Sequence, residues 1–372
     1  MLVGERPLLQ FFAFAAVLGA LAYLGFNLTA NMARVGLRPG FGFLWRPANF
    51  AIGESLIAYS PEDSFARALL VGVTNTLFVS ALGCVLATLL GVGIALARIS
   101  TNRLLAGLAR GYVEAIRNTP LLLQLFFWIA TFEALPGPRQ ALAPIPGVML
   151  TNRGVFFPAL HAGAGGATAA LGLAALIAIG FLAAPRIPAR LRRLRGLAAL
   201  TPVVVALLAA LIAAESGAIG VELPLRHGFN IEGGVVISPE FAALLVGLAI
   251  NSAAGIAEIV RGGIASVPRG QWDAARALGL STSTTLRHVI MPQVVRVILP
   301  VMTSSYLSLT KNSSLAVAIG YPDLVSIANT EANQSGQALE AIMIMAGAYL
   351  AISLAVSVVI NTYNARISAR VR

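Results

Sequence analysis

Along nearly its whole length the chain carries apolar runs long enough to cross a membrane, and this feature limits its fold more than any other. A transmembrane helix needs about 20 consecutive apolar residues to cover a hydrocarbon core of about 30 Å. Eight such runs are read at residues 8–28, 68–97, 112–135, 166–184, 197–214, 241–260, 297–319 and 338–361. In hydrocarbon each backbone N–H and C=O must be satisfied inside its own segment, so these runs are expected to be helices. The expected fold class is all-α: a polytopic membrane protein of about eight transmembrane helices. Only 11% of the 372 residues are charged and 58% are hydrophobic, against roughly 25% charged residues in a soluble domain. A water-soluble enzyme is thereby excluded. Disorder is excluded as well, because it requires low hydrophobicity and high charge. The first run follows Arg6 but reaches Asn27 without a small-residue cleavage site, so it reads as a span and not as a signal peptide.

The arginines set the orientation. The net charge is +11, and the basic residues lie between the apolar runs, which points to membrane topology and away from nucleic acid. With the N-terminus inside and one crossing per run, 18 arginines fall on the inside, counting Arg117 at the inner end of the third run with the inner loop before it, and seven outside. That bias predicts a multi-pass membrane protein with both termini cytoplasmic. The run RIPARLRRLR (186–195) fixes the loop between the fourth and fifth spans. Residues 29–66 and 136–165, rich in Gly and Pro, read as external loops. Cys84 is the one cysteine, which leaves no intrachain disulfide and no cysteine-built metal site.

The internal segment 262–296 is the most informative. Asp273-Ala274-Ala275-Arg276-Ala277-Leu278 has good helix formers. Gly279 follows where a left-handed residue ends a helix. Ser281 and Thr282 suit the N-cap of the next helix, and Pro292 is expected to interrupt the chain again. Two short helices around a glycine turn, with small residues outward, suit insertion into a cleft of another protein.

The pattern Asp273-Ala274-Ala275, three residues, Gly279, nine residues, Val289, one residue, Met291-Pro292 resembles the cytoplasmic loop of permease subunits of ATP-driven importers. In that family the pattern usually reads Glu-Ala-Ala, Gly, Ile-x-Leu-Pro, so three positions differ with their chemical type kept. RNTPLLLQLFF (117–127), AEIVRGGI (257–264) and LTKNSSLAVAIGYPDL (309–324) resemble the polar and general amino acid branch of the ABC importers. The resemblance implies a five-helix type I importer core with added spans. On it, residues 1–65 hold an extra span and external loop, and 66–135 the first two core spans. Residues 136–238 form an insertion with external loops and two extra spans, and 239–372 hold the last three core spans. The resemblance also implies that Asp273, Ala274, Ala275, Arg276 and Gly279 couple to an ATPase. The partners it implies are a second, similar permease, most simply in a heterodimer, two ATPase subunits, a periplasmic amino acid binding protein and the lipid bilayer, with no nucleic acid.

Lys311 lies about fifteen residues into the seventh run, roughly 20 Å from the inner face. A charge at that depth faces a partner or a wet cavity. Ser304, Ser308 and Lys311 share a helix face, and Asn312, Ser313 and Ser314 follow. A cation beside hydroxyls and an amide is a receptor for an α-carboxylate, or else a lysine snorkelling to the interface. Asn312 stands where the family often has Asp, which predicts a pocket for neutral or a broad range of amino acids, or one whose substrate role has passed to a partner subunit. Candidate substrate contacts are Lys311, Asn312, Ser308, Ser314, Thr74, Asn75 and Thr119, and Gln124 is a further polar group within an apolar run. Glu258, three residues before Arg261, is expected to pair locally. Leu104, Leu105, Leu108, Tyr112 and Val113 recur at helical spacing and predict an interfacial amphipathic helix before the third span.

Several chemistries lack their residues. A phosphate loop needs a lysine after glycine, and Lys311, the one lysine, is preceded by Leu-Thr. ATP and magnesium are therefore expected on a separate ATPase chain, with no cofactor here. His161, His227 and His288 have no metal-ligand spacing, and no hydrolase motif occurs. The chain is expected to be a transporter subunit and not an enzyme. The competing class is an ion-gradient-driven secondary carrier. It leaves the segment around Gly279 unexplained, and it predicts paired broken helices in inverted repeats that the sequence does not show.

Overall fold

A computed structural model describes residues 7–34, 40–162 and 219–369. The predicted spans 166–184 and 197–214, with the arginine run between them, lie outside the described residues. Two compact units are present, residues 1–128 with 243–372 and residues 129–242.

The first unit is helical. Helix α1 is Pro7–Arg34, α2 Phe65–Arg98, α3 Arg103–Arg117 and α4 begins at Leu121 and ends at Glu133. Then come α5 (Pro239–Ala265), α6 (Arg269–Ala277), α7 (Thr282–Thr285), α8 (Met291–Asn312), α9 (Leu324–Ser335) and α10 (Ala338–Ala369). Among the described residues five segments are long and apolar enough to cross a membrane: Gln10–Asn27, Phe65–Arg98, Pro239–Ala265, Thr282–Ile319 and Ala338–Val358. They match five of the predicted runs.

The third predicted run departs from expectation. It is not one helix over 112–135. Its chain is broken at Asn118-Thr119-Pro120, between α3 and α4. Pro120 has no N–H to donate and pushes Thr119 out of the helical region. Gln124 closes the break, since its buried side chain donates through Nε2 to the carbonyls of Ile116 (3.1 Å) and Thr119 (3.0 Å). Tyr112 of α3 donates to the carbonyl of Ile250 at 2.8 Å, which seats α3 against the middle of α5. The predicted leucine stripe of α3 is exposed at Leu104 and Leu108, and the buried face is Ala106, Ala109 and Val113. Small residues let α3 approach its neighbours, and the leucines are left for lipid.

Packing of α2 follows the same logic. Ala68, Gly72, Val79, Gly83, Ala87, Gly91 and Ala95 are buried along one stripe of it. A methyl group on Gly72 would stand 2.9 Å from the Cα of Leu324 in α9. One on Gly91 would stand 2.7 Å from Cγ2 of Ile256 in α5. Helices in lipid gain little from burying apolar surface, so close van der Waals contact through small residues holds them together. Asn75 adds a polar tie, its Nδ2 donating to the carbonyls of Glu54 and Pro322 at 2.9 Å each.

Residues 41–64 were expected to be a loop, and they form a packed cap. Phe43, Ala48 and Phe65 are buried with Leu324 and Ile327 of α9. Arg67 donates to the Ala58 carbonyl at 3.1 and 2.8 Å, and Gly40 N–H donates to Glu340 Oε1 of α10 at 2.9 Å. Gly and Pro content suggested an open loop, but the aromatic residues between them supply a small core.

Pro292 does not break the chain either. Residues 282–319 run as one helical segment, with a π-helical turn at Leu286–Ile290 just before it. A π turn widens the helix where the missing proline N–H removes a bond.

The second unit carries β structure inside a chain expected to be all helical. Strands β1 (Leu142–Ile145), β2 (Val148–Thr151), β3 (Gly154–Phe157) and β8 (Val235–Ile237) form an antiparallel sheet in that order. β4 (Ala159–Ala162) pairs with β5 (Ile219–Glu222), and β6 (Leu225–His227) with β7 (Asn230–Glu232). Pro146-Gly147 makes the first hairpin, with Gly147 at φ +82° where a type II turn requires it.

Candidate functional site

A polar cavity of 370 Å³ lies among α3, α5 and α8, lined by Arg117, Asn251, Ser252, Gly255, Val301, Ser304, Ser305, Ser308, Leu309 and Asn312. Asn251 and Ser252 stand at the midpoint of α5. Ser304, Ser308 and Asn312 follow one another at four-residue spacing, so they share one face of α8. The break after Arg117 ends α3 at the cavity wall. An arginine at that point offers a planar fork of donors matched to a carboxylate. The serine hydroxyls and the two asparagine amides supply both donors and acceptors. No aspartate or glutamate lines the cavity.

Two expected contacts, Ser308 and Asn312, are brought together here. Lys311 is exposed and is not among the lining residues, and the cation at the wall is Arg117. Ser314 lies in the 3-10 turn that follows α8 and does not line the cavity. Thr74 bonds its own helix through the Val71 carbonyl at 2.9 Å. Asn75 is fully buried and ties α2 to the cap and to the turn before α9, and Thr119 donates to the Ala115 carbonyl at 2.8 Å beside the break. Arg117, Asn251, Ser252, Ser304 and Ser305 join the site. Asn251-Ser252 was visible as a polar pair in the middle of an apolar run, and Arg117 was hidden by its assignment to an inner loop.

Below the cavity, Glu258 of α5 bonds both Arg98 at the end of α2 and Arg261 one turn on. The expected local pair is thus extended into a bridge between α2 and α5.

Residues 269–285 have the predicted form of two short helices around a glycine turn. Gly279 sits at φ +67°. Leu280 N–H donates to the Ala275 carbonyl at 3.1 Å and Gly279 N–H to the Arg276 carbonyl at 2.9 Å, which is a Schellman C-cap. Ser281 caps α7, its Oγ accepting from Thr284 N–H at 3.3 Å. Ala275 is buried, whereas Asp273, Ala274, Arg276 and Gly279 are exposed. Leu278, which the sequence reading did not single out, is 78% exposed at the tip of the turn. Gln293 of α8 donates to the Val289 carbonyl at 2.8 Å and to Gln271 Oε1 of α6 at 3.4 Å, so α6 is tied to the base of α8.

Residues 87–372 match the family described as the binding-protein-dependent transport system inner membrane component. The chain belongs to this family. It is 44% identical over 369 residues to the putative amino-acid ABC transporter permease protein YhdX of Escherichia coli, covering 97% of this chain and 93% of the relative. It is 41% identical over 369 residues to the general L-amino acid transport system permease protein AapQ of Rhizobium johnstonii, covering 96% and 91%. A crystal structure of an amino acid ABC transporter with histidines aligns at a TM-score of 0.49 and 22% identity, covering 81% of this chain and 95% of that one. The protein is a multi-pass inner membrane permease subunit of an ABC importer and not an enzyme, and ATP is hydrolysed on a separate chain. The ion-gradient carrier finds no support.

Proposed function

We propose that this permease subunit carries α-amino acids, bound by their α-carboxylate at Arg117 in the cavity between α5 and α8. One observation carries the reading: the intramembrane cavity holds one guanidinium, two asparagines and several serines, and no carboxylate. Arg117 takes the carboxylate. The side-chain oxygens of Asn251, Asn312 and Ser308 accept from the ammonium. With no acidic group on the wall, a cationic side chain gains nothing, so neutral and acidic amino acids are favoured. Two of the relatives are named for general L-amino acid transport and for glutamate, glutamine, aspartate and asparagine transport, which supports this choice.

The cavity is open on this chain alone, and a second, non-identical permease closes it. An ATPase that holds ATP and magnesium receives α6 and the tip at Leu278 and Gly279. Its closure moves α6, and the Gln271–Gln293 contact passes that motion to α8, which carries the serine face. A binding protein delivers substrate at the opposite end, near the cap and α9. The arginine bias supports a cytoplasmic side for α6 and both termini.

Reconstitution into vesicles tests this. With ATPase and binding protein present, ATP should drive uptake of L-glutamine, and Arg117→Gln should raise KM at least tenfold. Uptake that continues without the ATPase, or an unchanged KM in the variant, refutes the assignment.

A further inference from the structure

Arg117 also forms part of a second cavity, of 430 Å³, on the side of the coupling segment. Arg98, Arg110, Glu114, Asn118 and Glu258 line it with Arg117. Along α5 the first cavity runs from Asn251 to Gly255 and the second begins at Glu258, three residues on, or about 4–5 Å at 1.5 Å per residue. Arg117 is common to both walls.

The charges in this second cavity differ from those of the first. Glu258 is committed to Arg98 and Arg261. Among the described residues Glu114 and Arg117 enter no ion pair with each other or with any other side chain. Both stand on α3 three residues apart, which places them on one helix face. A free carboxylate and a free guanidinium on one wall complement the two ends of a zwitterion. The first cavity offers a cation but no anion, so it can hold a carboxylate strongly and an ammonium only through neutral oxygens.

We propose that the second cavity is an exit station for amino acids, in which Glu114 binds the substrate ammonium while Arg117 keeps its carboxylate. Transfer then needs no full release: the guanidinium fork stays on the carboxylate while the ammonium exchanges Asn and Ser oxygens for Glu114. This inference rests on the reading of the first cavity as the substrate site, and the test separates the two.

Equilibrium binding of radiolabelled L-glutamine is measured on the whole nucleotide-free complex, unaltered and with Glu114→Gln, Glu114→Asp or Asn251→Ala in this chain. Because the single Arg117 serves both stations, each copy of this chain should bind one glutamine, and Glu114→Gln should lower its affinity about twofold by removing one of the two poses, which Glu114→Asp should restore. Glu114→Gln should also cut at least threefold the complex's preference for the competitor L-alanine over L-lactate, which lacks the ammonium. The unaltered complex should prefer alanine at least tenfold. Unchanged affinity and discrimination in Glu114→Gln, with Asn251→Ala weakening binding, overturn the exit station and leave the first cavity intact. No loss in Asn251→Ala overturns the first cavity, and absence of binding by the unaltered complex overturns both.

Discussion

Replacing Glu331 by glutamine should stabilise the protein in mildly alkaline buffer and leave it nearly unchanged in acid. Glu331 is completely buried in α9, and neither of its carboxylate oxygens has a hydrogen-bond partner among the described residues. It lies outside the membrane-spanning segments, between those ending at Ile319 and starting at Ala338. Burial pushes its pKa from 4.5 up to about 8. Other titratable groups on the surrounding elements are Tyr59 of the cap, Asp323 at the N-cap of α9, and Glu340 and Tyr349 of α10. Arg67 of α2 is bonded to the Ala58 carbonyl and Arg46 of the cap is exposed, and burial is the one cause of the shift. Between pH 4.5 and about 8 the folded state holds the proton and the unfolded chain does not. Unfolding free energy therefore falls as pH rises through this window, and the protonated form's full stability is present only below 4.5. At about 1.36 kcal/mol per unit, the loss across the window is on the order of 4–5 kcal/mol. Glutamine has the same shape and no charge, so Glu331→Gln removes the loss. Asp323, raised to about 6 by burial, titrates in both proteins and cancels in their difference. Thermal unfolding of the two proteins in detergent, followed by fluorescence, should agree near pH 5. The variant should lead by roughly 5–10 °C at pH 8.5. Parallel curves for the two proteins from pH 5 to 8.5 would refute the claim that an unpaired carboxyl is buried there.

Further outcomes follow from packing and from the site. Gly91→Leu should cost about 1–3 kcal/mol or more through overpacking against Ile256 and the Ala253 carbonyl, seen as a lower unfolding temperature, and an unchanged temperature contradicts the α2–α5 contact. Lys311→Ala should disturb uptake less than Arg117→Gln, because Lys311 does not line the cavity; the reverse order in measured KM returns the carboxylate to Lys311. Gly279→Asp should insert normally but lose ATP-driven uptake, since it loads a left-handed position with a charged side chain at the docking turn, and normal uptake rules that docking turn out.

The long helices could be read directly, because run length in lipid leaves the backbone no other solution. The turn at Gly279 could be read too, since a glycine after a helix-forming segment and a serine two residues on announce a C-cap and an N-cap. The break at Asn118-Thr119-Pro120 was harder. Hydropathy averages across it, and the amide of Gln124 that seals it is itself a residue of the apolar run. The packed cap at 41–64 was missed because its core is shared with α9, almost three hundred residues away, and no local pattern records that. The β-hairpins of the second unit hide behind the same Gly and Pro residues that signalled a loop. As for the cavity, Ser308 and Asn312 were legible as polar residues on an apolar helix. Arg117 was not, because only the depth of α3 against α5, fixed by the Tyr112–Ile250 bond, turns an apparent loop arginine into a lining one.

Cross-linking at the tip of α6 tests the central claim most directly. With Cys84→Ser and Leu278→Cys in this chain, the assembled transporter is treated with a bifunctional thiol–amine reagent in inside-out vesicles. The expected product is a covalent adduct between this chain and the ATPase, formed together with loss of ATP-driven glutamine uptake. Labelling of the new thiol only by an impermeant reagent added to intact cells, or an adduct that leaves uptake untouched, would contradict an account in which this turn receives the power stroke.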